Sequence, residues 1–214
     1  MSIDRAIQAI QLFQGDSLTK SISEIEKYIV GFSAKESKKL CIDREINDSF
    51  LASALSIKKL AGQINVIIHA ASILRSLPEI LEPGEVIESV SLGAGNTGRK
   101  FDLETNYRIA EYKFIDWNGG PESIRQNGIF KDFFELAETD TNKKKYLYVV
   151  GDTFPLKFFL GGRSLTSVLS RNSKLLQKIH EKYGDEVLKV RDYYTLKACE
   201  VDIVDISPHI GRNS

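Results

Sequence analysis

Cysteine is scarce in this chain of 214 residues: Cys41 and Cys199 lie far apart, and neither belongs to a C-x-x-C pair. That excludes the disulfide framework of a small secreted domain. The three histidines, His69, His180 and His209, fall at no ligand spacing relative to the cysteines, so a Cys/His zinc site is excluded as well. Two buried or half-buried thiols in a reducing compartment are expected instead. Charge of one sign is also lacking, since 29 Lys and Arg balance 29 Asp and Glu. The global field therefore gives no sign of a polyanion partner, although a local basic groove would vanish in that sum. Asp4, Gln8, Gln11 and Asp16 interrupt the first residues, which excludes the apolar core of a signal peptide. The longest apolar stretch, Ile64 to Leu74, is broken by Asn65 and His69 and is too short to span a bilayer. A cytoplasmic protein is the expectation.

What is present is an ordinary globular composition, with 42% hydrophobic and 27% charged residues. Apolar residues recur at helical spacing over 3–14 and again from Ile22 to Val30, where Ser21 or Ser23 could cap the helix. From Ile46 to Leu77 the pattern is again helical, with Gly62 as a candidate break between two helices. The texture changes at Pro78. Val86 to Leu92 alternates like a strand, 93–98 is a Gly-rich loop, and Lys100–Glu104 and Tyr107–Ile115 read as two strands. An amphipathic helix follows over Glu122–Ala137, then a buried strand over Lys145–Gly151 and helices near Leu165–Leu169 and Leu175–Tyr183. Strands are expected at Val187–Val190, Tyr193–Leu196 and Val201–Ile206. The fold class is therefore α/β: a mixed β-sheet flanked by helices, with an N-terminal helical extension over 1–60 and the sheet domain over 61–214.

The informative stretch runs from Arg99 to Ile115. If Thr105 and Asn106 form a two-residue hairpin loop, Asp102 faces Ile109 across the pair. Side chains alternate along a strand, so Glu111 and Lys113 share the face of Ile109, and with it that of Asp102. Asp102 and Glu111 become diagonal neighbours, roughly 7–8 Å apart at the backbone. Ala110, Tyr112 and Phe114 turn to the opposite face and enter the core. Two carboxylates on adjacent strands are hard oxygen ligands suited to Mg²⁺ or Mn²⁺. A lysine beside them could orient water or neutralise a pentavalent phosphate. A bare Glu-x-Lys triplet would be only a solvated strand face with an ion pair. Asp102 in register, the Gly-rich approach and the following helix favour a metal site.

This arrangement of Asp102 followed by Glu111-Tyr112-Lys113 resembles the PD-(D/E)xK, or restriction-endonuclease-like, nuclease superfamily. The likeness of topology covers about residues 60–206, and its specific signal lies within 99–115. The family's proline before the aspartate is replaced by Phe101. The resemblance implies catalysis by Asp102, Glu111 and Lys113, with Asp102 and Glu111 holding Mg²⁺ or Mn²⁺. It also implies an additional acid, for which Glu79, Glu82 and Glu88 are equal candidates, and a helix glutamine that Gln126 would match.

Other signals are weaker. Asn96 and Arg99 in the Gly-rich loop, and Arg125 and Gln126 on the following helix, are candidate substrate contacts. A flexible connection and a polar first turn explain them equally well. Trp117 could stack on a base, although a lone Trp more often packs at a core edge. Lys143–Lys145 reads as a solvated turn, and His69 as a hydrogen-bonded core residue. The expected activity is metal-dependent hydrolysis of nucleic acid, DNA ahead of RNA, in restriction or defence. The rival is a catalytically silent nuclease fold that binds nucleic acid or protein. The N-terminal helices are expected to serve a homodimer or a partner protein.

Overall fold

A computed structural model describes residues 3–93, 98–114, 117 and 123–211. It divides into two compact units, Met1–Asn65 and Val66–Ser214.

In the first unit, helices α1 (Ile3–Gln14), α2 (Leu18–Tyr28) and α3 (Ala34–Asp43) precede the long α4 (Asp48–Ile80). The cap of α2 is Ser17, whose hydroxyl accepts from the Lys20 N–H, rather than Ser21 or Ser23. At α3, Ser33 and Glu36 form a reciprocal capping box. Helix α4 is unbroken at Gly62 and runs through Pro78. By length and composition alone it is apolar enough to cross a membrane. The shorter apolar run that the sequence marks at Ile64–Leu74 is thus only part of a longer one. In the second unit, however, this helix buries Ile73 and Ser76 completely. The N-terminal unit has little core of its own: Ala6 and Ser53 are buried, whereas Leu12, Val30 and Leu55 stand exposed.

The second unit is a mixed α/β fold. Its sheet has the order β1 (Ile87–Val90), β2 (Leu103–Thr105), β3 (Arg108–Lys113), β4 (Lys144–Val149) and β5 (Asp202–Asp205). Strand β2 is antiparallel to both of its neighbours, β1 and β3, while β3, β4 and β5 run parallel. Helix α5 (Ser123–Ala137) carries the chain from β3 to β4, because parallel neighbours need a crossover. Helices α6 (Thr153–Phe159), α7 (Leu165–Val168), α8 (Ser173–Tyr183) and α9 (Val190–Lys197) lie between β4 and β5.

Alternation along the strands makes two cores. Ile109, Leu147 and Val149 pack with Phe130 and Phe133 of α5, Phe159 of α6 and Tyr193 of α9. Ala110, Tyr112, Phe114 and Tyr148, on the other face, pack with Ile73 of α4 and Ile206. Two sequence expectations fail at the C-terminal end. Tyr193–Leu196 lies in α9, and Val187–Val190 contributes one isolated bridge from Lys189 to Ser164 and no strand. The Asp192 carboxylate accepts from the N–H groups of Leu188 and Lys189, closing the first turn of α9. Burial of Tyr193 then outweighs the strand preference of a Tyr-Tyr-Thr run. Both cysteines are exposed rather than buried or half-buried.

Candidate active site

Strand β3 carries the site. Leu103 pairs with Ala110 and Glu104 with Ile109, so the hairpin turns at Asn106–Tyr107, not at Thr105–Asn106. The Thr105 hydroxyl oxygen accepts from the N–H groups of Tyr107 and Arg108 and holds this turn closed. The same register places Asp102 opposite Glu111, rather than diagonal to it. The slip of two residues preserves the parity of the strand, so Glu111 and Lys113 keep one face of β3, and the Asp102 carboxyl adjoins Glu111 from the bend before β2. The pairing is also shorter than the sequence suggests, since Asp102 lies in a bend just before β2.

Asp102 is held from two sides. Its Oδ2 accepts from the Tyr112 N–H at 3.0 Å, an edge donor left open where β2 ends. His69 Nε2 on α4 lies 3.5 Å from Asp102 Oδ1 and 3.3 Å from the Ser91 carbonyl oxygen. Burial pushes the Asp102 carboxyl up, but the bonds from His69 and the Tyr112 N–H outweigh it, and its pKa is lowered. Glu111 goes the other way. Burial, then the charges of Asp132 and Asp102, push it up to about 9. A protonated Glu111 beside an ionised Asp102 is the state expected of two carboxyls forced together.

Lys113 is ion-paired with Asp132 of α5. Burial opposes its charge, but Asp132, Glu111 and Asp102 together raise its pKa. Burial likewise raises Asp132, against the pull of Lys113. The site therefore gathers three carboxyls around one ammonium. Asp132 escaped the sequence reading, yet it sits three residues after Ile129 and four before Leu136, on the buried row of α5. An acid at a core position of that helix was the available signal. His69 gave no comparable signal, because its partner Asp102 lies in a distant segment.

Among the acid candidates, Glu79 and Glu82 are exposed, and Glu88 is taken by Lys143 at 2.6 Å. The acid beside Glu111 is Asp132. Arg125 lines a cleft with Lys113, whereas Arg99 is exposed. Gln126 is buried and accepts from Arg163. Asn96 lies outside the described residues. Lys143 pairs with Glu88 and Glu104 and Lys145 with Glu200, and Lys144 and Lys145 already belong to β4, so the run is a strand entry tied down by ion pairs rather than the expected solvated turn.

Among the described residues, no set of three or more His, Cys, Asp or Glu side chains converges as metal ligands. Two hard carboxylates nonetheless fit Mg²⁺, which is commonly held by one or two acids plus waters and substrate phosphates. A cation would also relieve the repulsion that raises Glu111. The chain matches no family model, and no curated protein or solved structure matches it.

Proposed function

We propose that the chain is a metal-dependent nuclease that hydrolyses phosphodiester bonds, DNA ahead of RNA, in a cytoplasmic setting of restriction or defence. One observation carries this reading: the Asp102 carboxyl, just before β2, adjoins that of Glu111 on β3, with Lys113 on the Glu111 face of the strand. Support also comes from position, since ligands of open α/β sheets bind beyond the carboxyl ends of parallel strands, where Lys113 ends β3. Asp102 and Glu111 would hold Mg²⁺ or Mn²⁺, which supplies a water of lowered pKa and polarises the phosphate. Lys113 would neutralise charge that develops on the phosphate oxygens. Asp132 and His69 are positioning residues, acting through Lys113 and Asp102. The bare apolar residues of the N-terminal unit suit a second copy or a partner protein.

The test is incubation with plasmid, linear duplex, single-stranded DNA and RNA, each with Mg²⁺, Mn²⁺ or EDTA. Metal-dependent cleavage that disappears in Asp102→Asn is the expected result. Absence of cleavage on every substrate overturns the reading. A silent binding module is the second reading, favoured by the Lys113–Asp132 ion pair and the lack of a third ligand. A divalent-metal titration separates the two, because a silent scaffold has no need of a cation between paired acids.

A further inference from the structure

Two clefts meet at Trp117. The first, of about 240 Å³, begins at Lys113 and is walled by Trp117, Ile124, Ile129, Val149 and Pro155. The second, of about 230 Å³, shares Trp117 and is lined by Lys157, Gly161, Gly162, Arg163 and Gln126. Their chemistry differs. One is mostly apolar with an aromatic wall, beside Lys113 and Arg125, and the other sets Lys157 and Arg163 next to Gln126 and two glycines. Among the described residues, no carboxylate lines either cleft and none pairs with Lys157 or Arg163. Arg163 is instead held by the neutral Gln126 of α5, which fixes its place without adding a negative charge. Gly161 belongs to this surface for a steric reason: a Cβ there would lie 3.1 Å from the carbonyl oxygens of Lys157 and Phe158. Trp117 is braced by Phe158, with ring centroids 5.7 Å apart.

The geometry points to a single-stranded nucleic-acid track, in which an unstacked base enters the apolar cleft against Trp117 while a neighbouring phosphate lies on Lys157 and Arg163. A base within a duplex has both faces covered by its neighbours and cannot enter such a cleft. A single strand, a flap or a frayed end can offer one. Aromatic stacking beside a cationic groove is the general means of holding a strand without reading its sequence. Because Lys113 opens onto the base cleft, the track leads to the proposed catalytic face. The inference rests on the nuclease reading only for what happens after binding.

The experiment measures binding without cleavage, in EDTA, by the anisotropy of labelled oligonucleotides of equal length. The ligands are single-stranded DNA, single-stranded RNA, an abasic DNA strand and a blunt duplex. Trp117 is the only tryptophan, so its fluorescence reports stacking directly. Single strands of either sugar should bind at least about tenfold more tightly than duplex and quench Trp117. The abasic strand should bind more weakly and leave the fluorescence unchanged. Trp117→Ala should weaken single-strand binding by about 5- to 150-fold. Lys157 is exposed, so Lys157→Glu carries little risk to the fold; it should lower the slope of log affinity against log salt by about 0.7 or more. Duplex binding as tight as single-strand binding, or single strands that leave Trp117 fluorescence unmoved, overturns the track. Single-strand binding with no cleavage in metal refutes the nuclease reading alone. Duplex cleavage without single-strand preference refutes the track alone.

Discussion

The two ends of β3 bury charge in opposite ways. At the start, Arg108 donates from Nε and Nη2 to the two oxygens of Glu85, each at 2.6 Å, and from Nη1 to the Tyr148 hydroxyl at 2.8 Å. Its guanidinium also lies 4.9 Å from the centroid of the Tyr146 ring. Burial pushes Glu85 up, but Arg108 and Thr105 bring it below the ordinary glutamate value. One acid meets one base, and the planar fork satisfies both carboxylate oxygens. At the far end, Asp102, Glu111 and Asp132 share Lys113, and Glu111 is left with its pKa raised to about 9. The first cluster is complete as it stands. The second is complete only with another positive charge. Burial alone therefore does not mark a functional acid; a buried excess of one sign does.

That contrast can be broken by mutation. The largest effect expected is on activity: Asp102→Asn or Glu111→Gln should reduce metal-dependent cleavage to background. The urea midpoint of Glu111→Gln should stay at or above the wild-type value, because burial disfavours that carboxyl's charge, whereas Asp102→Asn should lose only the modest stability that the bonds from His69 and the Tyr112 N–H supply. Unfolding of either variant would make these acids structural, like Glu85. Arg108→Met should do the reverse, lowering stability by about 3–5 kcal/mol in urea denaturation, because Glu85 would remain buried without its partner. A loss below about 1 kcal/mol would show that the pair is worth no more than a surface ion pair.

Lys113→Met should slow cleavage by about 10²–10³-fold, the usual cost of losing one preorganised electrostatic stabiliser. Its Mn²⁺ affinity should be kept or increased, since a competing positive charge is gone. Near-normal turnover would reduce Lys113 to a partner of Asp132. A further expectation concerns pH. In the metal-free protein Glu111 titrates near 9, against 4.5 for an ordinary glutamate. The stability linked to its proton is therefore complete below about 4.5 and is lost as pH rises towards 9, by at most about 1.4 kcal/mol per pH unit. Glu111→Gln should flatten that slope in urea titrations from pH 5 to 9, and an unchanged slope would assign it to another group.

The candidate face of β3 was legible because it depends only on parity. The turn was misplaced by one residue and the pairing by two, yet Glu111 and Lys113 kept their face of β3, since an even slip moves no side chain to the other face, and Asp102 adjoins Glu111 from the bend before β2. The alternation of Ala110, Tyr112 and Phe114 into the opposite core was legible for the same reason. What the hairpin could not reveal is what packs over it. Asp132 and His69 arrive on helices, and their proximity follows from tertiary packing rather than local spacing. Helix α9 was misread because Tyr193 and Tyr194 suit a strand locally, whereas the fold needs Tyr193 in the core among Phe130, Phe133 and Phe134. Arg108 was read only as a strand residue, because its partner Glu85 lies 23 residues earlier.

The central claim is that Asp102 and Glu111 form a cation site lacking one positive charge. Calorimetric Mn²⁺ titration of the wild type, Asp102→Asn and Glu111→Gln, with Arg108→Met as the structural control, tests it most directly. The account expects saturable binding by the wild type and a loss of at least about tenfold in affinity, about 1.4 kcal/mol, in each acid variant. The Arg108→Met protein, measured below its unfolding midpoint, should keep its affinity. No saturable binding by the wild type, or equal affinity in all three proteins, would contradict it.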